Sequence, residues 1–302
     1  AVFPSEHPYA HAIGGTVESL GTLTLADVRA FVAEWYRPEH ATLVLSVPAK
    51  STKATAWVTH AFAQSVRTKH VEDSSKASAT SLATSENSRI RRREAPVPTP
   101  TLWLGWRVPT DHLPEGELLR LIPDILEAAY YAQLQRFDRN VSRVEVGSIS
   151  GKQGAVLYIK VPVKDAEDSE STARAFIGQL RSAAMNVIHN PLAFDNLKHH
   201  AALNDTYDEE NILSRTLRLT QSVNVTADPM FLRARDARLV AVGDSAIADY
   251  VESYLTKERA HAVLVIPAKG AQQALPSSPS DQQLGSMGAH RLRGPKIDLA
   301  VA

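Results

Sequence analysis

The feature that most constrains the fold of this chain is an internal repeat, in which the region around residue 28 recurs around residue 247. Two segments each predict an amphipathic helix, and Thr24 with Asp27 predicts a capping box before the first one. The apolar residues of the two helices keep one register: Val28, Phe31, Val32 and Trp35 in the first, and Ile247, Tyr250, Val251 and Tyr254 in the second. Such self-similarity predicts a repeated architecture.

The same offset continues beyond the two helices. The apolar run 43–47 predicts a strand, and its counterpart is the run 262–266. The tripeptide Pro-Ala-Lys follows both runs, at 48–50 and at 267–269. Chance similarity between two capped helix–strand segments is the alternative, but the common register and the shared tripeptide favour a true repeat.

Composition divides the chain into four parts. A Ser-, Ala- and Thr-rich stretch followed by three closely spaced prolines predicts a linker, and a Pro- and Gln-containing stretch at the end predicts a tail or tether. The first copy of the repeat would then retain its last helix, its last strand and a closing helix near residues 52–66. The predicted boundaries are 1–70 for this remnant of a first domain, 71–100 for the linker, 101–269 for the second domain, and 270–302 for the tail or an interdomain hinge.

The second domain shows a mixture of strand and helix patterns. TLWLGWRV at 101–108 predicts a buried strand that begins the domain at one edge of its sheet. A helix follows, in which Pro123 lies in the first turn or causes a kink. Two strands with a Gly-containing turn then predict a hairpin. Helical periodicity covers 169–190 and 194–224, separated by Pro191. This order predicts an α+β domain rather than a doubly wound one.

Composition also narrows the function classes. The chain has no cysteine, so disulfides, thiolate zinc sites and cysteine nucleophiles are excluded. Lys plus Arg and Asp plus Glu both number 33, and the arginines at 89–93 lack interleaved aromatic residues, so nucleic-acid binding is not expected. No apolar run is long enough for a membrane span. The cell envelope or periplasm and the cytoplasm are both compatible with this composition.

Three passages resemble the pitrilysin/insulinase family of zinc metallopeptidases, which includes the mitochondrial processing peptidases. The most specific is the opening VFPSEHPYAHAIGGTVESLGTLTLADVRAFVAEWYRPEHATLVLSV. LWLGWRVPTDHLPEGELLRLIPDIL is similar to the start of the family's second domain, and YVESYLTKERAHAVLVIPAK to its end. The resemblance implies repeated α/β domains with a mixed, largely antiparallel sheet and flanking helices, paired as halves of a clamshell around a substrate chamber.

The family's zinc site is an inverted H-x-x-E-H helix with a distal Glu ligand, and this chain has no such motif. We therefore expect no catalytic residue, no metal ligand and no cofactor in this chain, with zinc in the parent protein or a partner if that is active. The resemblance implies an Arg and a Tyr that hold substrate in the second domain. Arg139 lies near the Arg position and is the predicted substrate-binding residue, whereas Val144 occupies the Tyr position.

One pair of histidines is a candidate for metal binding. His7 and His11 have the spacing of ligands on one helical face, but Pro8 argues against a helix through both. The resemblance makes residues 7–9 a turn instead of a ligand set.

Three functions remain open at this point. The first is a non-catalytic part of a pitrilysin-like protein, which forms a peptide-chamber wall and an interface to a catalytic half or paired subunit. The second is a fragment of an active zinc metalloendopeptidase whose H-x-x-E-H lies upstream. The third is a structural, core-type scaffold subunit without a peptide substrate.

Overall fold

The structure is a computed structural model, and it describes residues 2–11, 13–48, 51, 53–63, 90–111, 114–133, 141, 143–231 and 235–268. Most of the predicted linker and all of the predicted tail therefore lie outside the described residues. In the described part no helix is long and apolar enough to cross a membrane.

A five-stranded sheet organises the second domain, with the strand order β1-β5-β2-β4-β3. The strands are β1 (Arg91–Ala95), β2 (Thr101–Val108), β3 (Glu145–Gly151), β4 (Gly154–Pro162) and β5 (His261–Pro267). β1 pairs with β5 in parallel, and the other neighbours are antiparallel. The predicted mixed, largely antiparallel sheet of an α+β domain is confirmed, including the β3–β4 hairpin.

Helices cover one face of this sheet. The helices of the second domain are α4 (Ile122–Gln133), α5 (Ser169–Ile188), α6 (Pro191–Glu210), α7 (Ile212–Thr226), α8 (Arg235–Val240) and α9 (Asp244–Tyr254). Of these, α4, α5 and α9 make the main contacts with the strands. Alternate residues of the central strands, such as Leu104 and Trp106 of β2 and Ile159 of β4, are fully buried beneath them. The Trp106 indole N–H donates to the Thr256 carbonyl at 2.9 Å, so this buried ring leaves no polar group unpaired.

Three sequence predictions need correction within this domain. The segment 194–224 forms two helices, because the Asn211 side chain accepts hydrogen bonds from the Leu213 and Ser214 amides and starts α7. β2 lies between β5 and β4 instead of opening the sheet at its edge. β1 falls within the predicted linker 71–100, because its backbone pairs with the distant β5 although its side chains are mostly charged.

The first copy of the repeat contains α1 (Val17–Thr22), α2 (Leu25–Trp35) and α3 (Ala54–Ala61). α2 and α9 both have 11 residues, and each is followed by a 3₁₀ turn, at 38–40 and 257–259. Their first residues, 25 and 244, are equivalent under the offset that relates Val28 to Ile247. The helix and the turn of the repeat, with their common register, are thus confirmed in the structure. The predicted capping box of Thr24 with Asp27 is also present.

The predicted strand at 43–47 is wrong. The residues 41–48 form no helix and no strand, whereas the equivalent residues 261–267 form β5. A strand needs a neighbour that accepts and donates its backbone hydrogen bonds. β5 lies between β1 and β2, and no strand of the described chain pairs with 43–47.

Candidate functional site: the open face of the sheet

The face of the sheet opposite the helices carries a row of side chains that crosses all five strands. Strand register places Trp103 of β2 between Val263 of β5 and Lys160 of β4. Arg91 of β1 lies beside Val263, and Glu145 of β3 lies beside Lys160. Residues directly opposite each other point to the same face of a sheet, so these five side chains form one line. We call this side of the sheet the open face.

The centre of the open face is an aromatic and cationic cluster. The Lys160 ammonium lies 5.4 Å from the centroid of the Trp103 ring and 2.9 Å from a Glu145 carboxylate oxygen. The Tyr158 ring lies 5.4 Å from the Trp103 ring, between centroids. All four side chains are half-buried. Such aromatic rings next to a cation offer both apolar contact area and charge to a ligand.

A glycine makes room for one of these rings. A Cβ at Gly147 would lie 2.5 Å from the Tyr158 hydroxyl oxygen and 2.6 Å from the ring carbon that bears it. Gly147 lies directly opposite Tyr158 in the β3–β4 ladder. The absent side chain therefore lets the tyrosine ring lie flat over β3.

The chain's opening residues pack on one end of the open face. Phe3 stacks on His7 with 4.5 Å between ring centroids, and the Arg107 guanidinium lies 5.1 Å from the Phe3 centroid. The Tyr9 hydroxyl accepts a hydrogen bond from the Gln153 amide at 3.2 Å, at the tip of the β3–β4 hairpin. Gly151 is in contact with the Tyr9 ring, since a Cβ there would lie 2.6 Å from the hydroxyl oxygen.

The His-Pro-Tyr segment is a turn, as predicted. Residues Pro8–Ala10 form a 3₁₀ helix, and the His7 Nδ1 accepts a hydrogen bond from the Tyr9 amide at 3.1 Å. His7 is buried, and burial together with the nearby Arg107 charge lowers its pKa below the ordinary 6.5. His11 follows in an exposed, extended conformation. This geometry serves packing rather than joint metal ligation by the two histidines.

Basic residues predominate on the strands of the open face. Four basic side chains lie on this face: Arg91 and Arg93 of β1 are exposed, and Arg107 and Lys160 are half-buried. The five strands carry one carboxylate on the same face, that of Glu145. His261 of β5 also lies on this face. Its burial, with the nearby charge of Arg91, lowers its pKa, so the imidazole is neutral at pH 7.

A second concave feature lies on the helical side, between α4, α5 and α6. It is a cavity of about 670 Å³, open to solvent, and it is lined by small apolar residues, asparagines and His200. The neighbouring His199 instead approaches the Asp195 carbonyl of its own helix at 2.7 Å through Nδ1. Adjacent residues on a helix point in different directions, so these histidines do not share a site.

Comparison with known proteins decides the family. The model of the family described as the peptidase M16 inactive domain matches residues 22–187, more than half of the chain. The chain belongs to this family. The resemblance to the pitrilysin/insulinase peptidases is thereby confirmed. No curated protein sequence matches the chain.

Three solved structures share the fold of this chain. An M16-like peptidase from Alicyclobacillus acidocaldarius is 15% identical, with a TM-score of 0.66 over 87% of this chain and 63% of that one. A protease from Helicobacter pylori is 14% identical, with a TM-score of 0.64 over 84% and 61%. A peptidase M16 inactive domain from Pseudomonas fluorescens is 16% identical, with a TM-score of 0.62 over 88% and 63%. The chain thus spans less than two thirds of the length of these structures.

The M16 zinc ligands have no equivalent cluster here: in the described ranges, no group of three or more His, Asp or Glu side chains could hold a metal ion. The described residues therefore offer no set of zinc ligands, and no catalytic step is assigned to them. Arg139, the predicted substrate-binding residue, lies outside the described residues. Val144 is fully buried in the core and presents no group to the open face.

Sequence reasoning does not find the open face as a site. The apolar pattern around Trp103 favours a core residue, and Lys160, Glu145 and Tyr158 belong to no motif. The alternation of Tyr158 and Lys160 with buried residues along β4 is the available signal. Their meeting with Trp103 depends on the register between strands.

Proposed function

We propose that this chain is the non-catalytic part of an M16 protein, in which the open face forms one wall of a peptide chamber and α2 contributes to an interface with a catalytic half. The observation that carries the proposal is the row of side chains across all five strands, with the half-buried Trp103 and Lys160 near its centre. It lies on the side of the sheet that α4, α5 and α9 do not cover.

The open face suits an extended polypeptide. The rings of Trp103 and Tyr158 supply contact area at a low cost in conformational entropy, because each has few rotatable bonds. The strands hold these rings on a rigid element, so a ligand loses little free energy in ordering the wall. A wall of this kind binds and orients peptide, while the bond cleavage belongs to residues elsewhere.

The interface is supported by a difference between the two copies of the repeat. Phe31 of α2 is 55% exposed, whereas the equivalent Tyr250 of α9 is 3% exposed. In α9 the apolar face packs against α5 and β2. The same face on α2 stays exposed in the described structure, and exposed apolar faces of this kind mark protein–protein contacts. A catalytic half or a paired M16 subunit is the proposed partner.

The wall is tested by fluorescence anisotropy of a labelled, unfolded peptide titrated with the full chain. We expect binding without cleavage, and about five-fold weaker binding for W103S, since an aromatic contact contributes roughly 1 kcal/mol. W57S is the matched control, because Trp57 is an exposed tryptophan that belongs to α3 and not to a strand of the sheet. Equal binding by both variants would contradict the assignment of the wall to the open face.

The same titration separates the other two functions. Peptide cleavage by a purified chain that holds one zinc ion, measured by mass spectrometry and metal analysis, would favour the active peptidase. Absence of peptide binding, together with stable co-purification with a paired M16 subunit, would favour the structural scaffold.

A further inference from the structure

The charges on the open face favour some polypeptide segments over others as ligands of the proposed wall. We infer that it selects extended polypeptide segments rich in Asp and Glu. This inference rests on the proposed function and adds the substrate class to it.

The first argument is the segregation of charge. The whole chain is balanced, with 33 basic and 33 acidic residues. On the open face, however, the strands carry the cations Arg91, Arg93, Arg107 and Lys160 against the carboxylate of Glu145. A surface with one predominant sign attracts ligands of the other sign and rejects ligands of its own.

The second argument is that the cations differ in how far they are already paired. Lys160 is held by Glu145 at 2.9 Å and by the Trp103 ring, and Arg107 lies over the Phe3 ring. Arg91 and Arg93 are exposed at the β1 edge and point to the open face, while Arg92, between them, points to the other face and approaches Glu167 at 3.4 Å. The β1 edge therefore supplies the charge most readily available to a ligand.

The third argument is the distance between the charges. β1 and β4 are separated by three inter-strand spacings, because β5 and β2 lie between them. At about 4.8 Å each, this places Arg91 roughly 14 Å from Lys160 across the sheet. An extended peptide rises about 3.4 Å per residue and alternates its side chains, so residues i and i+4 reach Arg91 and Lys160 from one side. Two acidic residues at this spacing match the two cations, and an apolar residue at i+2, about 6.8 Å from the first, lies between Val263 and Trp103.

The experiment compares three labelled peptides of equal length with the full chain. The first has Glu at i and i+4 with Leu at i+2, the second replaces both Glu by Gln, and the third replaces both by Lys. We expect the Glu peptide to bind about ten-fold more tightly than the Gln peptide, since each exposed charge pair contributes up to roughly 1 kcal/mol. Salt at about 0.5 M should remove most of this difference.

Neighbouring arginines provide the matched variants. R91S/R93S removes the partners of one of the two Glu side chains, so it should weaken binding of the Glu peptide about three-fold and leave the Gln peptide nearly unchanged, whereas R92S should leave both unchanged. Each replaced side chain is exposed, so all variants should fold, which circular dichroism verifies.

The outcomes separate this inference from the proposed function. Equal binding of the Glu and Gln peptides, with the loss in W103S retained, would overturn the acidic preference and leave the peptide wall standing. Failure of all three peptides to bind would overturn both. Tighter binding of a single-stranded oligonucleotide of the same length than of the Glu peptide would also overturn the assignment to acidic peptides.

Discussion

Valine occurs on the same apolar face in both copies of the repeat, so one substitution can be made twice in matched surroundings. Val251 of α9 is 3% exposed and belongs to the core, whereas Val32 of α2 is 45% exposed. The two valines are equivalent under the offset of the repeat. Replacing each by alanine therefore measures how far each copy buries the same face.

The expected loss in the free energy of unfolding follows from how far each valine is buried. V251A removes two buried methyl groups, worth about 1.6 kcal/mol, and adds a cavity term of about 1 kcal/mol. Alanine's higher helix propensity returns about 0.5 kcal/mol, which leaves a loss of roughly 2 kcal/mol. V32A removes methyl groups that are only about half-buried and leaves no closed cavity, so its loss should be roughly 0.4 kcal/mol after the same correction.

Urea unfolding, monitored by tryptophan fluorescence or circular dichroism, measures the difference in stability loss between V251A and V32A. The background W35F/W57F restricts the signal to Trp103 and Trp106 in the sheet, which report on V251A. For V32A, far-ultraviolet circular dichroism of the unaltered background reports on all helices, including α2. A loss of stability in V32A as large as that in V251A would refute the conclusion that α2 presents an uncovered apolar face.

Three further predictions concern the second domain. N211A should destabilise α7 by about 1 kcal/mol in urea unfolding, because the Leu213 and Ser214 amides lose their cap; an unchanged midpoint would contradict it. G147A should cost about 1 kcal/mol by displacing the Tyr158 ring, and much less in a Y158A background; equal costs in both backgrounds would exclude this contact as the cause. Burial lowers the pKa of His261 in the folded state, so the unfolded state binds the proton more readily, and stability should be lost as pH falls below about 6.5. H261N should reduce this loss of stability between pH 7 and pH 5, measured by urea unfolding. A pH dependence unaltered by H261N would contradict the prediction.

The repeat is the part of the fold most accessible from the sequence. Helical periodicity and a capping box are local signals, and they locate α2, α9 and the offset between them. Of the two alternatives that the sequence left for Pro123, a first-turn position and a kink, the structure shows the first. Pro123 lies in the first turn of α4, where its missing amide costs no helical hydrogen bond. These features depend on neighbours within a few residues.

The features that depend on distant partners are not accessible in this way. β1 has an Arg-rich sequence and becomes a strand through parallel pairing with β5, far along the chain. Residues 43–47 have an apolar strand pattern and lack such a pairing in the described structure. The row from Arg91 to Glu145 likewise exists only once four strand registers are fixed, so no motif could indicate it.

Site-specific photo-crosslinking tests the central claim most directly. Ile149 and Ser148 are neighbouring exposed residues of β3, and Ile149 points to the open face while Ser148 points to the other side. A photoreactive amino acid at position 149 should capture a bound unfolded peptide, intact and uncleaved, whereas the same group at position 148 should not. Equal capture at both positions, or capture at 148 alone, would contradict the open face as the peptide wall.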